Sequence, residues 1–100
     1  MAKRKFAPVH PGIVLAEDYL KPMKISLGQL ATRLGVPPSR IEGIVNGDSG
    51  ISADTALRLG KFFGMDAQEW MNLQSMYDLE VAKDAIAGLL DREVAVFKAM

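Results

Sequence analysis

The sequence lacks cysteine and any long apolar run. Without thiols the chain has no disulfide framework, no thiolate metal site and no cysteine nucleophile. No stretch approaches the roughly 18 apolar residues that span a membrane. The basic start, Met1 to Lys5, is not followed by the apolar core of a signal peptide. We therefore expect a cytoplasmic protein without a membrane partner.

Residues for catalysis or metal binding are also scarce. His10 is the only histidine, which excludes a histidine pair or a multi-histidine metal site. Asp78, Glu80 and Asp84 are typical of a solvated helix face rather than of an acid–base pair. No phosphate-binding glycine loop or nucleophile elbow occurs. We expect no enzymatic activity, no cofactor and no metal, and we expect His10 to have a local role just before a helix.

The formal net charge is zero, but the charges are unevenly distributed. Residues 1–25 carry a net charge of +3, residues 26–65 carry +1 and residues 66–100 carry −4. A basic front and an acidic back favour one face for a polyanion and another face for a different partner. Uneven solvation of an ordinary surface would give the same distribution, so both interpretations stay open.

Turn signals divide the chain into short helical segments, and none shows the alternation of a strand. We predict an all-α fold in one domain over residues 10–100, preceded by a basic arm over residues 1–9. Five helices are expected: about Gly12–Leu20, ended by Lys21-Pro22; Ser26–Leu34; Pro38 to Asn46-Gly47; a helix after a Ser52 cap that runs to Phe63; and a helix that starts after Asp66. Ser26 with Gln29 three residues later predicts a capping box at the start of the second helix. Gly35, after the last apolar residue of that helix, favours a left-handed end.

A sixth short helix is expected near the C-terminus. The amphipathic pattern of the fifth helix continues there, but Gly88 and Asp91 favour a break. The apolar residues of this last segment are Ile86, Leu89, Leu90, Val94 and Phe97.

Residues 26–47 combine two short helices with a tight connection. Two steeply crossing helices need a small residue on the first helix, here Ala31, and a glycine in the connection, here Gly35. Ile41 and Ile44 occupy the positions where apolar side chains of the second helix pack against the first helix. This spacing fits a DNA-binding helix-turn-helix at every position. Such helical pairs also occur as plain packing units, so the spacing indicates the fold unit more strongly than DNA binding.

In working units of this kind the second helix lies in the major groove, and helix ends and flanking groups hold phosphates. Arg40 can pair with a guanine edge or a phosphate, Ser39 can donate to several acceptors and Glu42 can accept from cytosine. Pro38 and Gly43 have no side-chain donor, so they would act through apolar contact, close backbone approach and DNA shape. The predicted DNA-contacting residues are Ser26, Gln29, Pro38, Ser39, Arg40, Glu42, Gly43 and Asn46, with Lys3, Arg4 and Lys5 of the arm.

The helix after Asp66 carries an apolar stripe beyond the minimal DNA-binding unit. The stripe is first a packing surface, and we expect its remainder to contact a second copy of the chain. The acidic stretch from Asp78 to Glu93 suits a basic partner protein. The predicted dimer or partner interface consists of Trp70, Leu73, Tyr77, Val81 and Leu89.

Several further motifs flank the helix-turn-helix. They are His10-Pro11-Gly12, Leu20-Lys21-Pro22-Met23, Val36-Pro37-Pro38-Ser39-Arg40-Ile41, Ile44-Val45-Asn46-Gly47, Ser52-Ala53-Asp54-Thr55-Ala56-Leu57-Arg58-Leu59, Phe62-Phe63-Gly64 and Trp70-Met71-Asn72-Leu73-Gln74. In this order they resemble the HigA-type antitoxins of the Xre family, over about residues 10–80. The resemblance implies an Xre-type helix-turn-helix domain similar to the DNA-binding domains of lambda repressor.

The same resemblance implies a biological role. A HigA-type antitoxin belongs to a type II toxin–antitoxin system, acts as a homodimer and represses its own operon at a palindromic operator in double-stranded DNA. It also neutralises a ribosome-dependent, mRNA-cleaving toxin of the HigB type. These properties are expectations for this chain.

Some positions depart from the family's pattern. Family members often have a polar residue where Leu27 stands, a basic residue where Asp48 stands and a glutamate where Ile13 stands. The first two changes remove expected phosphate contacts, so we expect modest DNA affinity, with the basic arm compensating. Gly43 and Gly60 lie inside predicted helices, where each costs about 1 kcal/mol relative to alanine.

Two alternatives to an antitoxin stay open. The chain could be a solitary Xre-type transcriptional regulator without a toxin. It could also be a protein-interaction module that keeps the fold but has lost useful DNA binding. The loss of expected phosphate contacts at Leu27 and Asp48 is consistent with this alternative.

Overall fold

The computed structural model describes residues 8–98, in which all regular structure is helical. The first helix, α1, is continuous and consists of the segments Pro11–Val14, Leu15–Leu20 and Lys21–Met23. It is followed by α2 (Leu27–Leu34), α3 (Pro38–Val45), α4 (Ala53–Phe63) and α5 (Ala67–Glu93). The predicted all-α fold with five helices is thereby confirmed. The predicted contact residues Lys3, Arg4 and Lys5 lie outside the described residues.

The hydrophobic core lies where α1 to α4 meet the first turns of α5. Each of the five helices contributes at least one apolar side chain with 0% exposure, and these include Leu15, Leu30, Ile41, Leu59 and Trp70. Full burial of one such side chain stabilises the fold by about 1.5–3 kcal/mol. The core therefore holds α3 mainly against α2 and the start of α1.

The Lys21-Pro22 pair does not end α1, contrary to the sequence prediction. The segment Leu15–Leu20 is a π-helix, in which the Lys21 N–H donates to the carbonyl oxygen of Ala16, five residues back. This wider turn precedes Pro22, whose ring would crowd the carbonyl four residues back in a regular α-helix. α1 therefore continues until just before Lys24, which adopts a left-handed conformation with φ of 55°.

α5 runs for 27 residues without interruption, so the predicted break and separate sixth helix are wrong. Gly88 and Asp91 lie inside α5. One interior glycine lowers helix stability by only about 1 kcal/mol relative to alanine, and the neighbouring alanine, leucine and arginine residues are strong helix formers. Val94 and Phe97 lie beyond the end of the helix. Among the described residues, no helix is both long and apolar enough to cross a membrane.

Gly43 and Gly60 lie close to the chain that follows their helices. A Cβ atom on Gly43 would lie 2.7 Å from Ser49 Oγ, and one on Gly60 would lie 2.6 Å from the carbonyl oxygen of Met65. In both cases the chain that leaves the helix folds back onto it. At Gly60 the low helix propensity of glycine is therefore offset by a close backbone approach that a larger residue would prevent, whereas at Gly43 rotation of the Ser49 hydroxyl would relieve the contact.

Candidate nucleic-acid interface

α2 and α3 form the predicted helix-turn-helix. Gly35 begins the connection with φ of 72°, and its N–H donates to the carbonyl oxygen of Thr32 at 3.2 Å. The Val36 N–H donates to the carbonyl oxygen of Ala31 at 3.0 Å. Ala31 and Ile41 are both fully buried, as their predicted packing roles require. The connection is thus held by backbone hydrogen bonds, and α3 lies on a buried support.

The N-terminus of α2 is closed by a capping box, as predicted. Ser26 Oγ accepts from the Gln29 N–H at 3.1 Å, and the Ser26 N–H donates to Gln29 Oε1 at 2.9 Å. Both side chains are exposed. The box does not use the Gln29 amide NH₂ group, which can donate to a phosphate oxygen.

The exposed face of α3 contains most of the predicted base-reading residues. Pro38, Ser39 and Glu42 are exposed, and Asn46 is exposed at the C-cap. Gly43 is only half-buried rather than exposed, and its carbonyl oxygen accepts two N–H groups of the following loop at 2.8 and 3.1 Å. A duplex can therefore reach the four outer residues directly, whereas Gly43 is partly covered.

Arg40 is connected to α4 by an ion pair. Its Nη1 donates to Asp54 Oδ2 at 2.8 Å. Arg58 Nε donates to the same carboxylate oxygen at 3.0 Å, and Arg58 Nη1 donates to the carbonyl oxygen of Leu34 at 2.8 Å. This Arg40–Asp54–Arg58 network joins α3, α4 and the end of α2. Sequence reasoning assigned no role to Asp54 or Arg58, although their i,i+4 spacing on a helix is a usable signal.

The charge state of Asp54 follows from the same network. The hydrogen bond from Arg58 is the largest influence that holds the pKa of Asp54 below its ordinary value of 3.8. The positive charge of Arg58 and the contact with Arg40 act in the same direction, whereas partial desolvation of the carboxylate opposes them. Asp54 is therefore ionised at neutral pH, and it offsets part of the positive charge that Arg40 brings to the interface.

The N-terminus of α1 lies directly against the end of α3. Gly12 is buried, and a Cβ atom there would overlap the carbonyl oxygen of Ile44 and lie 2.7 Å from the carbonyl carbon. His10 Nδ1 accepts from the Gly12 N–H at 2.9 Å, which confirms the predicted local role of this histidine at a helix start. The first turn of α1 therefore sets the position of α3.

Comparison with known families agrees with this geometry. The family model described as Helix-turn-helix matches residues 17–70, which is more than half of the chain. The chain belongs to the helix-turn-helix family. The match includes α2, α3, α4 and Trp70 at the start of α5.

Relatives of this helix-turn-helix protein connect it with antitoxins. Virulence-associated protein I of Dichelobacter nodosus is 53% identical over 81 residues, which are 81% of this chain and 75% of that protein. The antitoxin HigA of Pseudomonas aeruginosa, solved with the higBA promoter, has a TM-score of 0.88 and 41% identity, covering 91% of this chain and 99% of that one. An addiction module antidote protein of a HigA family from Coxiella burnetii has a TM-score of 0.87 and 42% identity. The match covers 92% of this chain and 100% of that one. The resemblance to HigA-type antitoxins of the Xre family is confirmed.

Trp70 of this helix-turn-helix protein is not an interface residue. Its side chain is 0% exposed, and its ring packs beside those of Tyr19 and Phe63, with centroid distances of 5.3 and 6.5 Å. The prediction that Trp70 contacts a partner is wrong, because the chain's own core covers it. Leu73 and Tyr77 are half-buried, so only part of each could contact another chain.

The other predicted interface residues lie further along α5. Val81 is 42% exposed and Leu89 is 40% exposed. Met76 and Leu79, which are not among the predicted interface residues, are 64% and 61% exposed. The accessible apolar surface of α5 therefore begins after the helix has left the core.

Gln74 is a further residue that sequence reasoning missed. It is buried, its Oε1 accepts from the Ile51 N–H at 2.7 Å, and its Nε2 donates to Asp78 Oδ1 at 2.9 Å. The loop that follows α3 is thereby fastened to α5. A polar residue within an otherwise apolar stripe is the one local signal for such a contact.

Proposed function

We propose that this chain is a sequence-specific DNA-binding antitoxin of a type II toxin–antitoxin system. It represses its own operon and neutralises a HigB-type, mRNA-cleaving toxin. The observation that carries the proposal is the exposed face of α3 on its buried support, in a chain 41% identical to an antitoxin HigA solved with the higBA promoter. These tasks require no catalytic group, and they require a cytoplasmic location because the operator DNA is there.

In this proposal α3 is the recognition helix and enters the major groove. Ser39, Arg40, Glu42 and Asn46 present polar groups to base edges. Pro38 supplies apolar contact, and Gly43, which has no side chain, allows the duplex to approach closely. Ser26 and Gln29 lie at the N-terminus of α2, where the helix dipole favours a phosphate. The proposed phosphate contacts of the basic arm are those of Lys3, Arg4 and Lys5, outside the described residues.

We also propose that residues 10–100 act as one domain that dimerises, so that two recognition helices read a palindromic operator. The exposed apolar surface of α5 supports this assignment, with Val81 and Leu89 accessible and Leu73 and Tyr77 at its inner edge. The double variant V81E/L89E should be monomeric in sedimentation equilibrium. M23E places a glutamate on an exposed apolar residue of α1 and should leave the dimer intact.

Footprinting of the region upstream of the gene tests the DNA-binding part. Two protected half-sites about 34 Å apart, one helical turn, are expected for a two-fold dimer. The affinity should fall linearly with salt on logarithmic axes. Absence of any protected site at low salt would refute the repressor function and would favour the alternative of a protein-interaction module without DNA binding.

Co-expression with the product of the adjacent open reading frame tests the antitoxin part. We expect a small basic protein that co-purifies with this chain. This protein should inhibit growth when it is expressed alone and should no longer do so when the two are expressed together. Operator binding without such a partner would instead support a solitary Xre-type regulator.

A further inference from the structure

We infer that Asp54 is a specificity-determining positioning residue, which holds Arg40 back from phosphates and releases it only where a base edge offers a better partner. The inference rests on the proposed DNA-binding function and assigns Asp54 a role within it. Asp54 itself lies on α4, outside the recognition helix, and does not need to touch DNA.

The position of Arg40 makes it the residue whose restraint matters. It is the third residue of α3, in the half of the recognition helix that faces bases. Its side chain is 41% exposed, and its Nη1 lies 2.8 Å from Asp54 Oδ2. The two residues are 14 positions apart, so the pair is formed by the packing of two helices and not by local helix geometry.

Arg58 prevents the carboxylate from following Arg40. It donates through Nε to Asp54 Oδ2 at 3.0 Å and through Nη1 to the carbonyl oxygen of Leu34 at 2.8 Å. Asp54 is therefore anchored to α4 and to the end of α2. If Arg40 turns toward DNA, it must leave the carboxylate behind.

The competition affects the two kinds of DNA site differently. A free Arg40 would add one phosphate contact at any sequence, because the backbone presents the same charge everywhere. With Asp54 present, that contact requires loss of an exposed ion pair of similar strength, so the net gain is small. At the correct site Arg40 can form a bidentate contact with guanine O6 and N7, which is stronger than the ion pair that it replaces. Asp54 thus weakens non-specific binding more than operator binding.

The experiment compares wild type, Asp54→Asn, Arg40→Ala and the double variant R40A/D54N. Fluorescence anisotropy gives the Kd of each for an operator duplex and for a scrambled duplex of equal length, over a tenfold range of KCl. For the scrambled duplex, Asp54→Asn should steepen the slope of log affinity against log salt concentration by about 0.9, the value for one added phosphate contact. Over the tenfold range of KCl this is about an eightfold change in affinity. The ratio of scrambled to operator Kd should fall.

Three controls separate this effect from a general change of charge or fold. R40A/D54N should show the salt slope of Arg40→Ala on the scrambled duplex, because the side chain that Asp54 restrains is gone. Glu69→Gln removes a carboxylate from the first turn of α5 and should leave the specificity ratio unchanged. Asp54→Glu keeps the charge and should retain the ratio. If Asp54→Asn does not fold by circular dichroism, Asp54→Ser replaces it.

Three results would overturn the inference. Asp54→Asn could change operator and scrambled binding by the same factor, which would indicate a purely structural residue. The added salt dependence could persist in R40A/D54N, which would mean that Arg40 is not the group restrained. Finally, wild type could bind neither duplex, which would overturn the proposed DNA-binding function and this inference with it.

Discussion

Replacing Gly12 with alanine perturbs the closest approach between α1 and the recognition helix. The added Cβ would overlap the carbonyl oxygen of Ile44, and it would lie 3.0 Å from Val45 Cα. All of these obstacles are backbone atoms of α3, so no side-chain rotation can relieve the overlap. Either α1 or α3 must move.

The magnitude follows from overpacking. Extra atoms in a filled core destabilise by about 1–3 kcal/mol, and a rigid backbone obstacle favours the upper half of that range. Alanine recovers at most about 1 kcal/mol of helix propensity, and less in a first turn. We expect a net loss of about 2 kcal/mol, which lowers the Tm of a domain of this size by roughly 8–16 °C. Operator affinity should fall as well, because α3 is displaced.

Urea denaturation followed by circular dichroism measures the loss, with all samples at one protomer concentration because dimerisation contributes to apparent stability. Gly28→Ala is the matched control. Gly28 lies in α2, a Cβ there would meet nothing within 4 Å, and we expect stabilisation of up to about 1 kcal/mol. Equal midpoints for Gly12→Ala and wild type would refute the argument that α1 sets the position of α3.

Three further predictions concern the support around the interface. Gln74→Ala leaves the buried N–H of Ile51 without its acceptor and should lower the free energy of unfolding by about 1–3 kcal/mol in urea; an unchanged value would show that this contact is dispensable. Trp70 is the only tryptophan and is 0% exposed in the chain's own core. Its emission should therefore stay blue-shifted when dilution dissociates the dimer, and a red shift would place Trp70 between subunits. Because the pKa of Asp54 is lowered on folding, its contribution to stability is present above the ordinary value of 3.8 and is lost as the pH falls through the lower folded value. Asp54→Asn should show a weaker dependence of stability on pH from about pH 5 to pH 2, and parallel pH profiles would contradict the Arg58 and Arg40 contacts.

The parts that sequence reasoning predicted correctly depend on short-range interactions. The capping box of Ser26 and Gln29, the left-handed Gly35 and the helix start at His10 involve residues at most a few positions apart. The helix break at Lys21-Pro22 was a wrong prediction for a different reason. Proline propensity assumes a regular α-helix, and the π-helical turn before Pro22 removes the steric conflict.

The sequence by itself determined the all-α class, the helix-turn-helix and the exposed face of α3, because apolar periodicity and capping residues act within one helix or its ends. Only the tertiary structure decided that Arg40 pairs with Asp54, that Gly12 lies against Ile44 and that Trp70 belongs to the core. Each of these outcomes depends on which distant helices meet and at what separation. A stripe on one helix cannot show whether its partner is the same chain or a second copy.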